Sequence, residues 1–530
     1  MGIMERPTVY PLADGAKYWE HEYEHYYLKA YVPESGVNGW VHNYTFRAPL
    51  LLVFEENRQS IEDAAEFAIK SGLADIAAKV DASVLFVYPT CEGGWKNATE
   101  ELYAELISQV RMDPFFADGI VAWDNFITQT FMGYYAKGAI FRADIYSFGE
   151  SADYVATHLL KTLQGEYLWG PGEITPAMCS MENLSVKPVV ERKDIAVLSV
   201  GNSDEMNEAF KDCENLLIKE KAEYQADFDG FGRKFKMWCG EMQIEPDFDA
   251  LGMVEDIGEV WIRTSRDTKY YMGVPEREVG YMAYYNKGLL DNGPVPLLIG
   301  CHGGGDSSMF FTFVTEWYKV ANKYGFLFVS LENHLTITAT EIIDVIEALK
   351  KKYPVDEHRI YATGFSMGSC KTWELFQEYP EVFAGMAPAS ALFPMGKTPL
   401  SMSAKGQVNR DVPVPMFYSG GEASPLPELP CQADTALGRI QYGAKVNRLK
   451  ADFNVKYEEK DSWADPIWGV PGERMEKLYD ETRDSYLTIQ YYESEDGVCR
   501  TAYGSVSGQG HEFRHHSCEA AWKFISQFTR

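Results

Sequence analysis

The pentapeptide Gly364-Phe365-Ser366-Met367-Gly368 carries the strongest chemical signal in the chain. A serine hydroxyl is a weak nucleophile unless it is presented on a sharp turn beside a base, and G-x-S-x-G describes such a turn between a strand and a helix. Its glycines let the strand and the helix come close together. The setting agrees: the strand-like run Arg359-Ile360-Tyr361-Ala362-Thr363 precedes it, and Ser369 to Leu375 can continue as a helix. A serine that merely caps a helix is the plainer alternative.

A nucleophile attacking a carbonyl needs donors for the oxyanion that develops. Cys301-His302-Gly303-Gly304-Gly305-Asp306 follows an apolar strand, and consecutive glycines leave backbone N–H groups free to point at such a charge. Gly303 and Gly304, with the N–H of Met367 after the nucleophile, are the expected oxyanion donors, and His302 is expected to orient their loop. Gly364 and Gly368 support the turn. The base must lie near the end of the chain, where His511, His515 and His516 stand. Of these, His511 in the glycine-flanked loop Gly508-Gln509-Gly510-His511 is the expected base; the other two suit the start of a closing helix. For the acid that orients the imidazole, Glu422 after the run Pro415-Met416-Phe417-Tyr418 is preferred, with Asp434 and Glu428 as alternatives.

These residues need a sheet whose carboxyl edge gathers loops. The C-terminal half alternates strand-like runs (295–300, 326–330, 359–363, 413–418, 486–492) with helical ones at Phe311–Tyr324 and from Thr340. In the latter, Ile342, Val345, Ile346 and Leu349 share one face. The N-terminal half repeats the order. Pro49–Val53 matches Pro296–Gly300, and Ser83–Tyr88 matches the strand at Phe326. Asp144–Asp153 lies over Arg359–Gly368, setting Ser151 on Ser366, and Ile195–Ser199 falls on Pro415–Ser419. Gly230–Phe235 mirrors Gly508–Phe513, setting Arg233 on His511. The chemistry is not repeated: Glu55-Glu56-Asn57 replaces His302-Gly303-Gly304, and two acids there would repel an oxyanion. The aromatic stretch from Thr90 to Ala136, with Trp95, Phe115 and Trp123, is expected to pack as core.

The chain as a whole narrows the partners. Its 530 residues exceed one hydrophobic core, so two large domains are expected. With 49 Lys+Arg against 78 Asp+Glu, the net charge of -29 disfavours nucleic acid and anionic membranes, and points to a neutral or weakly charged small molecule. No run of 18 apolar residues occurs and no secretory leader is visible. Nine scattered cysteines without a C-x-x-C pair suit free thiols in a reducing cytoplasm, and no metal or cofactor is called for.

Taken together, Val355 to Gly368, the His302-Gly303-Gly304 loop and Gly510-His511 resemble the polyhydroxybutyrate depolymerase and feruloyl esterase branch of the α/β-hydrolases, over about residues 290–525. The resemblance implies cofactor-free hydrolysis of a neutral or aromatic acyl ester through an acyl-enzyme. Two positions depart from that branch: Ser369 stands where a further glycine is common, and Glu422 where an aspartate is usual. The expected fold is two α/β-hydrolase-like domains in tandem, each a mostly parallel sheet flanked by helices. Residues 1–242 form a degenerate domain without an intact triad, able to shape access or mediate homo-oligomerisation, and 243–530 the catalytic one. A serine peptidase or amidase with the same triad, and a non-catalytic scaffold, are the rival readings.

Overall fold

The computed structural model describes residues 9–11, 15–33, 49–80, 82–112, 138–167, 170–238, 240–263, 275–303, 308–332, 338–390, 408–424, 434–454, 470–481 and 483–530. The chain divides into two compact units, Met1–Pro246 and Asp247–Arg530, each built on its own sheet.

The main sheet of the first unit contains β1 (Val9–Pro11), β2 (Lys17–Glu22), β3 (Tyr26–Val32), β4 (Pro49–Phe54), β5 (Val84–Pro89), β6 (Ala139–Phe148), β7 (Met178–Glu182), β8 (Ala196–Val200) and β9 (Leu216–Lys219). They lie in the order β1-β2-β3-β5-β4-β6-β7-β8-β9. Helices α1 (Ile61–Ser71), α2 (Leu73–Val80), α3 (Glu100–Met112) and α4 (Glu150–His158) run between them, and α5 (Tyr224–Gly230) follows β9.

The second unit contains β10 (Met253–Arg263), β11 (Glu276–Asn286), β12 (Val295–Cys301), β13 (Leu327–Leu331), β14 (Val355–Phe365), β15 (Gly385–Ala389), β16 (Met416–Gly421), β17 (Arg474–Asp480), β18 (Ser485–Glu493) and β19 (Cys499–Val506). Their order is β10-β11-β13-β12-β14-β15-β16-β19-β18-β17. Apart from β1 on one side and β17 and β18 on the other, the two sheets have the same strand order. In both, an antiparallel pair leads into six parallel strands. Strands covered on both faces read as unbroken apolar runs, which is why Pro49–Phe54 and Leu327–Leu331 are buried throughout.

Helices of the second unit pack on both faces of its sheet. One face carries α6 (Ser308–Thr315), α7 (Trp317–Tyr324) and α11 (His515–Ile525); the other carries α8 (Ala339–Lys352), α9 (Met367–Glu378) and α10 (Asp434–Val446). The single helix expected over Phe311–Tyr324 is two, broken where Glu316 takes a left-handed φ of 54°. Helix α8 starts at a capping box, Thr338 with Glu341, and buries the predicted stripe of Ile342, Val345, Ile346 and Leu349. Among the described residues, seven cysteines are free thiols and no helix is long and apolar enough to cross a membrane.

The repeat between the halves needs correcting in register. Gly149 has φ 53° and ψ −118°, and Ser366 has φ 53° and ψ −114°. Each donates its N–H to the last residue of the adjoining strand, Gly149 to Glu182 at 2.9 Å and Ser366 to Ala389 at 3.0 Å. Phe54 pairs with Ser147 as Cys301 pairs with Gly364. The counterpart of Ser366 is therefore Gly149, and Ser151 occupies the place of Gly368. A shift of two residues keeps every side chain on its own face of the sheet, so apolar alternation could not reveal it. Arg233 is also displaced. It follows α5, whereas His511 precedes α11, and its carbonyl accepts a 2.9 Å bond from Arg142 at the far end of β6 from Gly149. Residues 220–223, which lead from β9 into α5, stand where the His511 loop does.

The turn at Ser366 depends on missing side chains. A Cβ on Gly368 would lie 2.1 Å from the Cys301 carbonyl oxygen and 2.6 Å from that of His302; one on Gly364 would lie 2.2 Å from the Gly368 oxygen. Gly368→Ala is expected to lower unfolding free energy by about 1–3 kcal/mol or more, because the backbone atoms it strikes cannot move independently. Gly230→Ala, with open space around it, is the control and is expected to be near neutral in the same urea titration.

Candidate active site

Ser366 directly follows β14 and caps α9, so its side chain stands at the carboxyl edge of the parallel strands, where open α/β sheets place ligands. A non-glycine residue at φ 53° costs about 1–3 kcal/mol, a strain the surrounding hydrogen bonds must hold. The residue is nearly buried, at 9% exposure, and its Oγ lies 2.8 Å from His511 Nε2. The imidazole rests against the Phe365 ring at 4.9 Å between centroids. Burial pushes His511 down from its usual 6.5 to about 4, so it is neutral at ordinary pH and able to accept a proton.

The His511 loop is tied down on both sides. Glu512 O accepts 2.7 Å and 2.9 Å bonds from Ser390 Oγ and Gln509 Nε2, and its carboxylate pairs with Arg514. Glu422 sits on the neighbouring loop, directly after β16. Its N–H bonds to Val506 O at 3.0 Å, and Ala423 N–H bonds to Gln509 O at 2.9 Å. A Cβ on Gly421 would lie 2.2 Å from Gly510 O, so the acid loop and the histidine loop touch backbone to backbone. The Glu422 carboxylate accepts a 3.2 Å bond from Ser505 Oγ and is raised above its ordinary value by burial. Of the alternatives, Asp434 opens α10, while Glu428 lies outside the described residues.

On the oxyanion side, His302 and Gly303 are buried and Met367 begins α9; Gly304 lies outside the described residues. His302 Nδ1 is 2.8 Å from Gly303 O, and since a carbonyl only accepts, Nδ1 carries the proton. Burial lowers this histidine to about 4, leaving it neutral and a fixed strut for the Gly303 carbonyl. His515 and His516 open α11 and face Glu316, Glu519 and Asp480.

One buried acid was not anticipated from sequence. Glu332, immediately after β13, accepts the Ser308 N–H at 3.2 Å and the Ser308 hydroxyl, and its Oε1 lies 4.0 Å from His302 Nε2. It thus sits beside both residues that bracket the glycine run in sequence. Its only legible signal was a lone acid closing the apolar run Phe328-Val329-Ser330-Leu331.

The matching edge of the first unit is built differently. Gly149 offers no side chain, and a Cβ there would strike Glu56 Oε1. Ser151 is fully buried: Oγ donates toward Phe54 O at 2.7 Å and accepts from Phe148 N–H at 2.8 Å. Glu55, at the place of His302, forms a buried ion pair with Lys29 at 2.8 Å. Trp95 stacks on Phe54, while Phe115 and Trp123 lie outside the described residues. The fold also gathers Glu24, His25 and Glu105 in this unit, a set that sequence spacing does not reveal; His25 Nδ1 is 2.9 Å from Glu105 Oε2.

No family model matches the chain. A bifunctional acetylxylan esterase/xylanase of Neocallimastix patriciarum is 27% identical over 243 residues, 44% of this chain; the chain covers 31% of that protein's length. Among solved structures, an acetyl xylan esterase from Aspergillus awamori matches with a TM-score of 0.34 and 14% identity, over 51% of this chain and 98% of its own. An S-formylglutathione hydrolase from Agrobacterium tumefaciens matches with a TM-score of 0.34 and 10% identity, over 53% and 97%. A ferulic acid esterase is also similar, with a TM-score of 0.27, 13% identity and coverage of 37% and 85%.

Two outcomes follow from this geometry. Because burial holds His511 near 4 and not at the 6.5 of a free imidazole, kcat/KM for an ester should stay level as pH falls through about 6 and drop only toward about 4. The sign is that of a base lost by protonation. An acid limb centred at 6.5 would show that the imidazole is solvated in the working protein. Secondly, Glu332→Ala should lower kcat about tenfold with KM little changed, and Glu332→Gln should retain more, as read by steady-state kinetics.

Proposed function

We propose that the second unit is a serine carboxylic-ester hydrolase. The 2.8 Å approach of His511 Nε2 to Ser366 Oγ, on a strained turn at the carboxyl edge of a parallel sheet, is the observation that carries this reading. His511 takes the Ser366 proton as Oγ attacks the ester carbonyl. The N–H groups of Gly304 and Met367, on the frame of Gly303 and His302, hold the oxyanion. His511 then protonates the leaving alcohol, and water, activated by the same imidazole, releases the acid from the acyl-enzyme. Glu422, whose loop touches that of His511, orients the imidazole. The substrate class is a small acyl ester of the acetyl or feruloyl kind, a reading supported by the 27% identity over 243 residues to a bifunctional acetylxylan esterase/xylanase. No step calls for a metal or cofactor.

The first unit, in this reading, is a degenerate hydrolase-like domain: it has the strand order of the second but Gly149 at the nucleophile position, Glu55 in place of His302 and no histidine between β9 and α5. Ser366→Ala and His511→Ala should each reduce turnover of an aryl acetate by about 10³-fold or more, and Glu422→Ala by about 10²-fold to 10⁴-fold. Ser151→Ala should leave turnover intact, and so should exhaustive chelation. Retention of a tenth of the activity in either of the first two variants would contradict the assignment. A larger loss for Asp434→Ala than for Glu422→Ala would move the acid to Asp434.

A further inference from the structure

Helix α10 packs on the helix that Ser366 opens, with Gly443 close to the Trp373 ring at 3.4 Å from where its Cβ would be. One turn earlier on α10, Arg439 points a guanidinium into this contact. The residue is 3% exposed, and its charge lies 5.4 Å above the Trp373 ring. Among the described residues, neither Nη1 nor Nη2 has a hydrogen-bond partner, and no carboxylate forms an ion pair with the group. The polar groups that act on it are Cys370 and Tyr442. Cys370 is one helical turn beyond the nucleophile and donates its N–H to Ser366 O at 3.1 Å. The Tyr442 hydroxyl is already committed to Gln377 and Asn409.

A buried, always-charged guanidinium with five donors and no acceptor is strongly unfavourable by itself. Burial shows in the group, which is pushed down to about 10. A cation–π contact recovers only part of that cost. What completes such a site is an anion, and the planar fork of arginine matches a carboxylate. Lys371 on α9 is paired with Glu374 and also feels the buried Glu378, so it offers no free positive charge to a ligand, and the single guanidinium fork of Arg439 matches a monoanionic carboxylate. In a chain of net charge -29 the overall field disfavours a carboxylate-bearing ligand, and a local unpaired cation offsets that at its own position.

We propose that Arg439 is a carboxylate-binding residue and that the esters cleaved at Ser366 carry a free carboxylate. The proposal rests on the serine-esterase reading and narrows its substrate class. The test is a panel of methyl esters of aromatic and aliphatic dicarboxylic acids, with the free carboxylate at increasing distance from the ester, each paired with its carboxamide isostere. The wild-type protein should prefer the carboxylate in at least one pair by about tenfold or more in kcat/KM. Arg439→Gln should abolish that ratio, mainly through KM, and Arg439→Lys should keep part of it. Because these ratios are taken within one variant, a general loss of stability does not alter them. A protein that hydrolyses the carboxamide esters equally well or better throughout, or a preference that survives in Arg439→Gln, would overturn the carboxylate proposal and leave the esterase reading standing. Hydrolysis that persists in Ser366→Ala would instead overturn the esterase reading.

Discussion

Everything proposed for the second unit depends on one close approach. The amino end of helix α9 lies against the carbonyl oxygens of Cys301 and His302, with no room for a side chain on Gly368. That contact fixes where the helix begins, and therefore forces Ser366 into the left-handed region, with its hydroxyl projecting from the sheet edge. It also puts the first turn of α9 beside the strand end that leads into the glycine run. The Ser366 hydroxyl and the Met367 N–H are thus positioned by the same backbone packing, and the strain at Ser366 is held by the bonds of β14, β15 and α9 around it.

The first unit shows the same strand order with different residues at the corresponding edge. Its turn is dihedrally equivalent, yet glycine relieves the strain at the apex and a serine fills the place of the second glycine. The Ser151 hydroxyl bonds to the very carbonyl, Phe54 O, whose counterpart Cys301 O crowds Gly368. Glu55 and Lys29 neutralise each other within the core. A negative charge developing beside Glu55 and Glu56 would be destabilised, so this edge is organised for packing.

Much of this was legible in the sequence, and for physical reasons. Buried parallel strands must be apolar throughout, so Pro49–Val53, Ser83–Tyr88 and Val295–Gly300 could be read directly. The glycine spacing around Ser366 expresses a steric requirement that no other residue meets, and His511 was singled out by flanking glycines that let its loop reach the sheet edge. Other features were illegible because they depend on contacts between distant segments. The two-residue shift that sets Gly149 against Ser366 leaves the apolar alternation unchanged. Arg233 sits in letters like those around His511, but helix α5 precedes it where α11 follows the histidine. Nothing in the sequence sets Glu332 and Arg439 apart from the many other charges of the chain; their burial distinguishes them. The break at Glu316 interrupts a run that is apolar enough to continue as one helix.

The central claim is that Ser366 is the activated serine of the chain. The most direct measurement is the second-order rate of covalent labelling by a fluorophosphonate, with the modified residue located by peptide mass spectrometry. The account predicts one adduct, on Ser366, formed quickly in the intact protein and about 10²-fold or more slowly in His511→Ala, because only a serine beside a neutral imidazole attacks phosphorus rapidly. An adduct on another serine, or a Ser366 adduct whose rate ignores the loss of His511, would contradict it.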